Sequence, residues 1–167
     1  KKAQNEIKDD SKNDSVDLIL ADLAEKSDVY SFCDKFREKY DRLDILINNA
    51  GILTFDKEIT SIGVEKTFMV NYLSHFLLTS LLLDTLKKSA PSRIINVTSS
   101  YHKRGKLEFS KLDGSGEYHG FRAYARSKLA LVLFTYQLDR KLKGYDVTVN
   151  AVHPGLLHTN IMRHIPF

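Results

Sequence analysis

The sequence predicts an α/β fold in which helices flank a doubly wound parallel sheet. Three observations favour it: short apolar segments alternate with helical patterns, each apolar segment ends in polar residues or glycine, and no repeat interrupts the alternation. Strands that are joined by crossover helices run parallel and are covered by those helices. The chain opens within a polar helical pattern and stops shortly after a Pro-Gly turn. We therefore expect residues 1–167 to form one partial domain, incomplete at both ends.

The first part of the chain supplies two helices and two strands. A polar helical tail over 3–11 precedes an apolar strand over 16–21. Ser27 is expected to cap a helix that runs through Tyr40, because apolar residues recur between them at helical spacing. The second predicted strand covers 43–47.

The second part of the chain continues the alternation. A long helix is predicted from about Ser61 to Lys88, where a Pro-containing segment ends it. A third strand covers 93–98, a helix covers 121–142, and a fourth strand covers 146–152. Four strands and the helices between them are enough for one α/β sheet.

Composition excludes several functional classes. The chain is 43% hydrophobic and 28% charged, as is ordinary for a globular protein, and its net charge of +4 is spread out. Such a charge distribution argues against a nucleic-acid partner. The apolar segment 72–86 is too short and too polar to span a membrane. Cys33 is the only cysteine, so the chain has no internal disulfide, and its histidines show no metal-ligand spacing.

Polar residues or glycine follow each of the four predicted strands. Ligands of open parallel sheets bind beyond the carboxyl ends of the strands, so these residues predict a site at that edge. Loops are polar in general, so one such loop would indicate little. The prediction rests on finding polar residues or glycine after all four strands. The residues concerned are Asp22 and Leu23, Asn48 to Gly51, Ser99 and Ser100, and His153 to Gly155.

Tyr124 and Lys128 stand four residues apart within the helix predicted over 121–142. This spacing places both side chains on one helix face, one turn apart. A nearby ammonium lowers the pKa of a phenol, which could then exchange a proton with a substrate oxygen. The alternative is an amphipathic surface tyrosine beside a solvated lysine, because Tyr-x-x-x-Lys also arises by chance.

Taken together, these residues resemble the short-chain dehydrogenase/reductase family, whose fold is Rossmann-like. Asn-Asn-Ala-Gly after one strand, Ser99 after the next, and Tyr124 with Lys128 on the following helix match its motifs in order. Asn71 on the long helix matches the family's catalytic asparagine. Pro154, Gly155 and Thr159 are similar to its Pro-Gly turn and the hydroxyl residue beyond it. The resemblance covers about residues 1–163.

The resemblance implies an NAD(P)-dependent oxidoreductase that interconverts an alcohol and a carbonyl. Tyr124 would be the general acid/base, and Lys128 would lower its pKa and hold the nicotinamide ribose. Ser99 would bind the substrate oxygen, in preference to the neighbouring Ser100. Asn71 would hold a water that links Lys128 to solvent; the alternative for Asn71 is a buried asparagine bonded to backbone.

The resemblance also implies a set of cofactor residues. NADP is the expected cofactor, with NAD as the alternative, and Asp22 could instead be a helix N-terminal acid. The family's glycine-rich loop, which holds the pyrophosphate, does not occur in this sequence, so we expect the 167 residues alone to bind a dinucleotide poorly. The cofactor set is Asp22, Leu23, Asn48, Asn49, Ala50, Gly51, Tyr124, Lys128, Pro154, Gly155 and Thr159.

The 25-residue step from Ser99 to Tyr124 is about twice the family's usual interval, and the segment between them resembles the retinol dehydrogenase branch. That branch implies a lipophilic, retinol- or retinal-like substrate. It also implies a location on the cytoplasmic side, with an endoplasmic reticulum anchor upstream of these residues. The long helix and the Tyr124 helix are those that many members use to form a homodimer. The alternative function is a catalytically silent scaffold that acts only through protein–protein contacts.

Overall fold

The computed structural model describes residues 2–155 and residue 161; Thr159, a predicted cofactor residue, lies outside them. Helices and strands alternate along the chain. None of the helices in this described part is long and apolar enough to cross a bilayer. The elements are α1 (Lys2–Ser11), α2 (Lys26–Lys39), β1 (Ile45–Asn48), α3 (Lys66–Phe68), a π-helical turn (Met69–Leu73), α4 (Ser74–Lys88), β2 (Ser92–Val97), 3₁₀ turns (Ser100–Arg104 and Phe109–Lys111), α5 (Gly120–Lys141) and β3 (Val147–Val152).

The three strands form one parallel sheet in the order β1-β2-β3. Ile45 pairs with Arg93, and Arg93 pairs with Thr148, so the three strands run in register across the sheet. Parallel pairing places the carboxyl ends of all three strands at the same edge. The parallel sheet with flanking helices confirms the predicted fold class.

The hydrophobic core lies between one face of the sheet and the helices α4 and α5. Alternate residues of each strand point into it, as the period-two geometry of a strand requires. On the opposite face the side chains of β1 are more than half exposed. The core cluster consists of Leu46, Leu86, Ile94, Leu138, Leu142, Val147 and Val149.

The strand predicted over 16–21 is wrong. This segment has no strand structure, and Leu20 is 79% exposed. A strand requires a neighbour to satisfy its backbone groups, and no described strand lies beside this segment. Its carbonyl at Val16 instead accepts a hydrogen bond from the Gln4 side chain (2.7 Å).

The long helix begins at Lys66 and not at Ser61, because Glu65 is its N-cap. The Glu65 carboxylate accepts hydrogen bonds from the backbone N–H groups of Thr67 (2.7 Å) and Phe68 (2.9 Å). The preceding residues form a turn that is closed by a β-bridge between Ile59 and Glu65. The helix from 66 to 88 is otherwise continuous through the π-helical turn.

Candidate active site

Tyr124 and Lys128 lie on one face of α5, above the carboxyl end of β2. The Lys128 ammonium is 5.6 Å from the centroid of the Tyr124 ring. It donates a hydrogen bond to the carbonyl of Val97 (2.9 Å), the last residue of β2. This bond ties the helix to the end of the strand and holds the ammonium in place.

Ser99 follows β2 directly and reaches the same place. Its hydroxyl caps the 3₁₀ turn that begins at Ser100, where it accepts a hydrogen bond from the backbone N–H of Tyr101 (3.3 Å). The Ser99 hydroxyl also lies next to the Tyr124 phenol: burial raises the pKa of Tyr124, and the interaction with Ser99 opposes that rise. A hydroxyl and a phenol from separate elements therefore meet at the sheet edge.

Asn71 lies in the π-helical turn and is fully buried. Its side-chain oxygen accepts from the N–H of Ile52 (2.8 Å), and its amide donates to the Ile52 carbonyl (2.9 Å) and to the Ser127 hydroxyl (3.1 Å). Single π-helical turns in longer helices are frequent at functional sites. Through these bonds Asn71 holds the loop after β1 against α5. The sequence did not suggest that Ser127 takes part in this contact.

Gly51 brings the backbone of that loop against the site. A Cβ atom on Gly51 would lie 3.4 Å from the Asn71 side-chain oxygen and 3.6 Å from the Lys128 ammonium. Asn49 and Ala50 are exposed, so they are accessible to a ligand at this edge. Asn48 differs, because its buried side chain donates to Thr79 (2.9 Å) and Asn96 (2.8 Å) within the fold.

The remaining predicted cofactor residues flank the site. The Asp22 carboxylate accepts from the backbone N–H of Ala24 (2.8 Å), and so it closes a turn ahead of α2 that includes Leu23. Pro154 and Gly155 are exposed just beyond β3, and Gly155 has a φ of +83°, which favours glycine.

Burial dominates the electrostatics of the site. It lowers the pKa of Lys128 to about 8, because the buried ammonium has lost much of its hydration. Burial likewise raises the pKa of Tyr124, and the bond to Ser99 opposes this. The lowering of the Tyr124 pKa by Lys128 that the sequence predicted is therefore not found, since the ammonium bonds to the Val97 carbonyl and both groups are desolvated.

His75 is a buried ionisable residue of this region that sequence reasoning missed. Its side chain is 2% exposed, and its Nδ1 has no hydrogen-bond partner among the described residues. Burial, and then the charge of Lys128, lowers the pKa of His75 to about 4. The available signal was its position four residues after Asn71, which is one helical turn.

Aromatic rings line the approach to Tyr124. Tyr101 meets the Tyr124 ring edge-on at 6.0 Å and stacks on Phe121 at 5.6 Å. Phe55 contacts Phe121 edge-on at 5.4 Å. No sequence pattern indicated these residues, because they come from three separate segments of the chain.

The short chain dehydrogenase family model matches residues 1–166. Human retinol dehydrogenase 13 is 47% identical over 163 residues, which are 97% of this chain and 49% of that protein. Mouse retinol dehydrogenase 14 is 49% identical over 86% of this chain and 43% of its own length, and human polyprenol dehydrogenase is 43% identical over 99% and 52%. The chain thus spans about half the length of the curated relatives it matches.

Solved structures show the same similarity. The complex of Pseudomonas aeruginosa RhlG with NADP superimposes with a TM-score of 0.68 at 30% identity, over 88% of this chain and 56% of that one. A short chain dehydrogenase from Burkholderia cenocepacia in complex with NADP gives a TM-score of 0.67 at 30% identity, over 86% and 54%.

Proposed function

Because this chain belongs to the short-chain dehydrogenase family, we propose that it carries the catalytic centre of an NAD(P)-dependent alcohol–carbonyl oxidoreductase. The observation that carries the proposal is the meeting of three groups at the carboxyl end of β2. These groups are the Ser99 hydroxyl, the Tyr124 phenol and the Lys128 ammonium.

Each group has a chemical role that follows from its position. The Tyr124 phenol gives a proton to the carbonyl oxygen during reduction and takes it back during oxidation. The Ser99 hydroxyl donates a hydrogen bond to the same oxygen and stabilises the negative charge that develops there. The Lys128 ammonium is fixed beside the phenol by its bond to the Val97 carbonyl, and Asn71 fixes the loop at Gly51 against α5 through Ile52 and Ser127.

The residues present fit a nicotinamide cofactor on one side of this centre. Gly51 lets the backbone approach Asn71 and Lys128 closely, and the exposed Asn49 and Ala50 leave that approach open. We assign Asn49, Ala50 and Gly51 to contacts along the cofactor and Lys128 to its ribose hydroxyls. When bound, the cofactor supplies or accepts the hydride. NADP is the proposed form, in keeping with the NADP complexes of two structural relatives.

The proposed substrate is a lipophilic alcohol or aldehyde of retinoid-like character. The row of aromatic rings that begins with Tyr101 beside Tyr124 and continues through Phe121 to Phe55 favours an apolar molecule over a polar one. The names of the similar retinol and polyprenol dehydrogenases agree with this class.

A homodimer through α4 and α5 is part of the proposal. The outward faces of these helices carry apolar side chains with substantial exposure, namely Phe76 at 43%, Leu133 at 48% and Tyr136 at 65%. Burying such a patch against a second copy would stabilise the assembly.

The test is consumption of NADPH by the full-length protein with retinal as the substrate. Tyr124→Phe removes the proton donor and keeps the ring, so we expect the rate to fall by about 10²-fold or more. Tyr145→Phe is the matched control, because Tyr145 is an exposed tyrosine just after α5, outside the site and the proposed dimer surface, and this variant should keep the wild-type rate.

An unchanged rate in Tyr124→Phe would refute the assignment. The silent-scaffold alternative is tested separately, by titrating NADPH into the wild-type 167-residue chain. Micromolar affinity would exclude that alternative, because a silent scaffold has no reason to hold the cofactor.

A further inference from the structure

We propose that a basic cavity on the side of α5 remote from Tyr124 is a second binding site, for a phosphate-bearing ligand. The cavity has a volume of about 400 Å³, which is within the range of small-ligand sites. Its walls are the first turns of α5 and the segment 100–119, called the insert below. The lysines and arginines that line it are Arg104, Lys106, Lys111, Arg122 and Arg126.

The charge around the cavity is uneven. Five lysines and arginines face two surface carboxylates, Glu108 and Glu117, and each carboxylate already has a partner. Glu108 lies 2.6 Å from the Lys111 ammonium, and Glu117 lies 3.2 Å from the His119 ring. The cavity therefore holds an excess of positive charge in a chain whose net charge is only +4. An anion would relieve the repulsion among these cations.

Arg126 has a donor left over at this site. One end of its guanidinium donates to the Lys111 carbonyl (2.6 Å), and another nitrogen lies 3.7 Å from the Glu65 carboxylate. Its Nε is buried and has no partner within residues 2–155 or at 161. A buried donor without an acceptor is costly, and guanidinium groups bind phosphate oxygens in pairs. A phosphate group in the cavity would add an acceptor next to Arg126, which lines it.

The wall of the cavity is held in place without a ligand. Gly114 has a φ of +70°, and a Cβ atom there would lie 3.1 Å from the Lys57 side chain and 3.4 Å from that of Glu65. The Leu112 carbonyl accepts a hydrogen bond from the backbone N–H of Glu65 (2.9 Å). The insert is thus packed closely against the turn before α3, so the site is formed before binding.

The cavity adjoins the candidate active site through Arg104, which lies 5.4 Å from the Tyr101 ring, but its other arginines lie on a different face of α5 from the phenol. Arg122 and Arg126 each stand two residues from Tyr124, which is about 200° around a helix. Their side chains therefore project from the side of α5 opposite the phenol. His119, Arg122 and Arg126 share one face by their spacing of three and four residues.

Two exposed cations that make no ion pair in the described part of the chain provide the test. The variant Lys106→Gln/Arg122→Gln removes both without breaking a contact of the fold. The control Arg140→Gln/Lys141→Gln removes two exposed cations from the other end of α5. Binding of pyrophosphate to the full-length protein is measured by calorimetry in the presence of saturating NADPH. Binding to phosphatidylcholine vesicles with and without phosphatidic acid is measured in parallel.

We expect the Lys106→Gln/Arg122→Gln variant to bind about tenfold or more weakly, the control to bind like wild type, and salt to weaken binding. If this variant loses binding to pyrophosphate, the ligand is a soluble phosphorylated molecule. If it loses binding only to the vesicles that contain phosphatidic acid, the ligand is a lipid headgroup. Binding to neither probe, or binding that the variant leaves unchanged, overturns the proposal. Because Tyr124 is not part of this site, Tyr124→Phe should bind both probes normally, which separates this test from that of the oxidoreductase.

Discussion

His75 sits in the interior one turn after Asn71, and its environment favours the neutral ring. Its side chain is 2% exposed and lies near the Lys128 ammonium. Both burial and that neighbouring charge oppose protonation, which is why the pKa of His75 falls to about 4. A residue of this kind couples the stability of the fold to pH.

The sign of this coupling follows from proton binding. Between pH 6.5 and 4 the unfolded chain binds a proton at His75 that the folded chain does not, so the free energy of unfolding decreases as the pH falls through this window. We expect His75 to account for a loss of about 2 kcal/mol between pH 7 and pH 5. The measurement is urea denaturation of wild type and His75→Asn at both pH values.

Between pH 7 and pH 5, the free energy of unfolding of His75→Asn should fall by about 2 kcal/mol less than that of wild type. His153→Asn, which alters an exposed histidine beyond β3, serves as the control and should follow the wild-type pH dependence. Parallel losses in wild type and His75→Asn would mean that His75 does not carry the effect.

At the scale of elements, the start of the long helix depends on one buried carboxylate. Glu65 is 0% exposed, caps two backbone N–H groups, and also accepts a hydrogen bond from the Tyr118 hydroxyl (3.1 Å). The same side chain therefore fixes the helix end and the insert. Removing it leaves the two N–H groups without this acceptor and takes one of their partners from Tyr118 and Arg126.

We expect Glu65→Ala to lower the free energy of unfolding by about 3 kcal/mol, as measured by chemical denaturation. Glu25→Ala is the comparison, because Glu25 is the N-cap residue of α2 but makes no side-chain capping bond. Its carboxylate accepts a hydrogen bond from the exposed Ser61 hydroxyl (2.7 Å). That variant should cost less than about 1 kcal/mol. If both variants lower the free energy of unfolding equally, the buried hydrogen bonds of Glu65 do not contribute to stability.

The sequence predicted those features that depend on local spacing. The helix around Tyr124 was expected over 121–142 and is found over Gly120–Lys141, because its apolar period and the four-residue step to Lys128 are properties of one segment. The position of Ser99 also followed from the rule that parallel strands share a carboxyl edge, whereas its pairing with Tyr124 was implied by the family resemblance.

Features that depend on distant partners could not be predicted in this way. The segment 16–21 has the composition of a strand, but a strand exists only beside another one. The long helix was predicted to begin at about Ser61, whereas its cap, Glu65, is held by contacts with Tyr118 and Arg126 far along the chain. The lowered pKa predicted for Tyr124 was wrong for a similar reason, since burial is a property of the assembled fold.

At the scale of the whole molecule, the sheet is covered unequally. One face packs on α4 and α5, while the other presents Ile45 at 52% exposure, Ile47 at 57% and Val152 at 42%. Within the described residues, β1 and β3 also have a strand neighbour on one side only. Apolar faces and open strand edges of this kind promote association.

We therefore expect the 167-residue chain, expressed by itself, to bind a hydrophobic dye and to associate as its concentration rises. Ile45→Lys/Ile47→Lys places two charges on the exposed face, so dye fluorescence and the weight-average mass in sedimentation should both fall. Stability should change by less than about 1 kcal/mol, because neither side chain is in the core. Ile59→Lys/Ile62→Lys, which alters two similarly exposed isoleucines in the turn before α3, should leave association unchanged. An equal effect of both variants would mean that general surface charge, and not the sheet face, controls association.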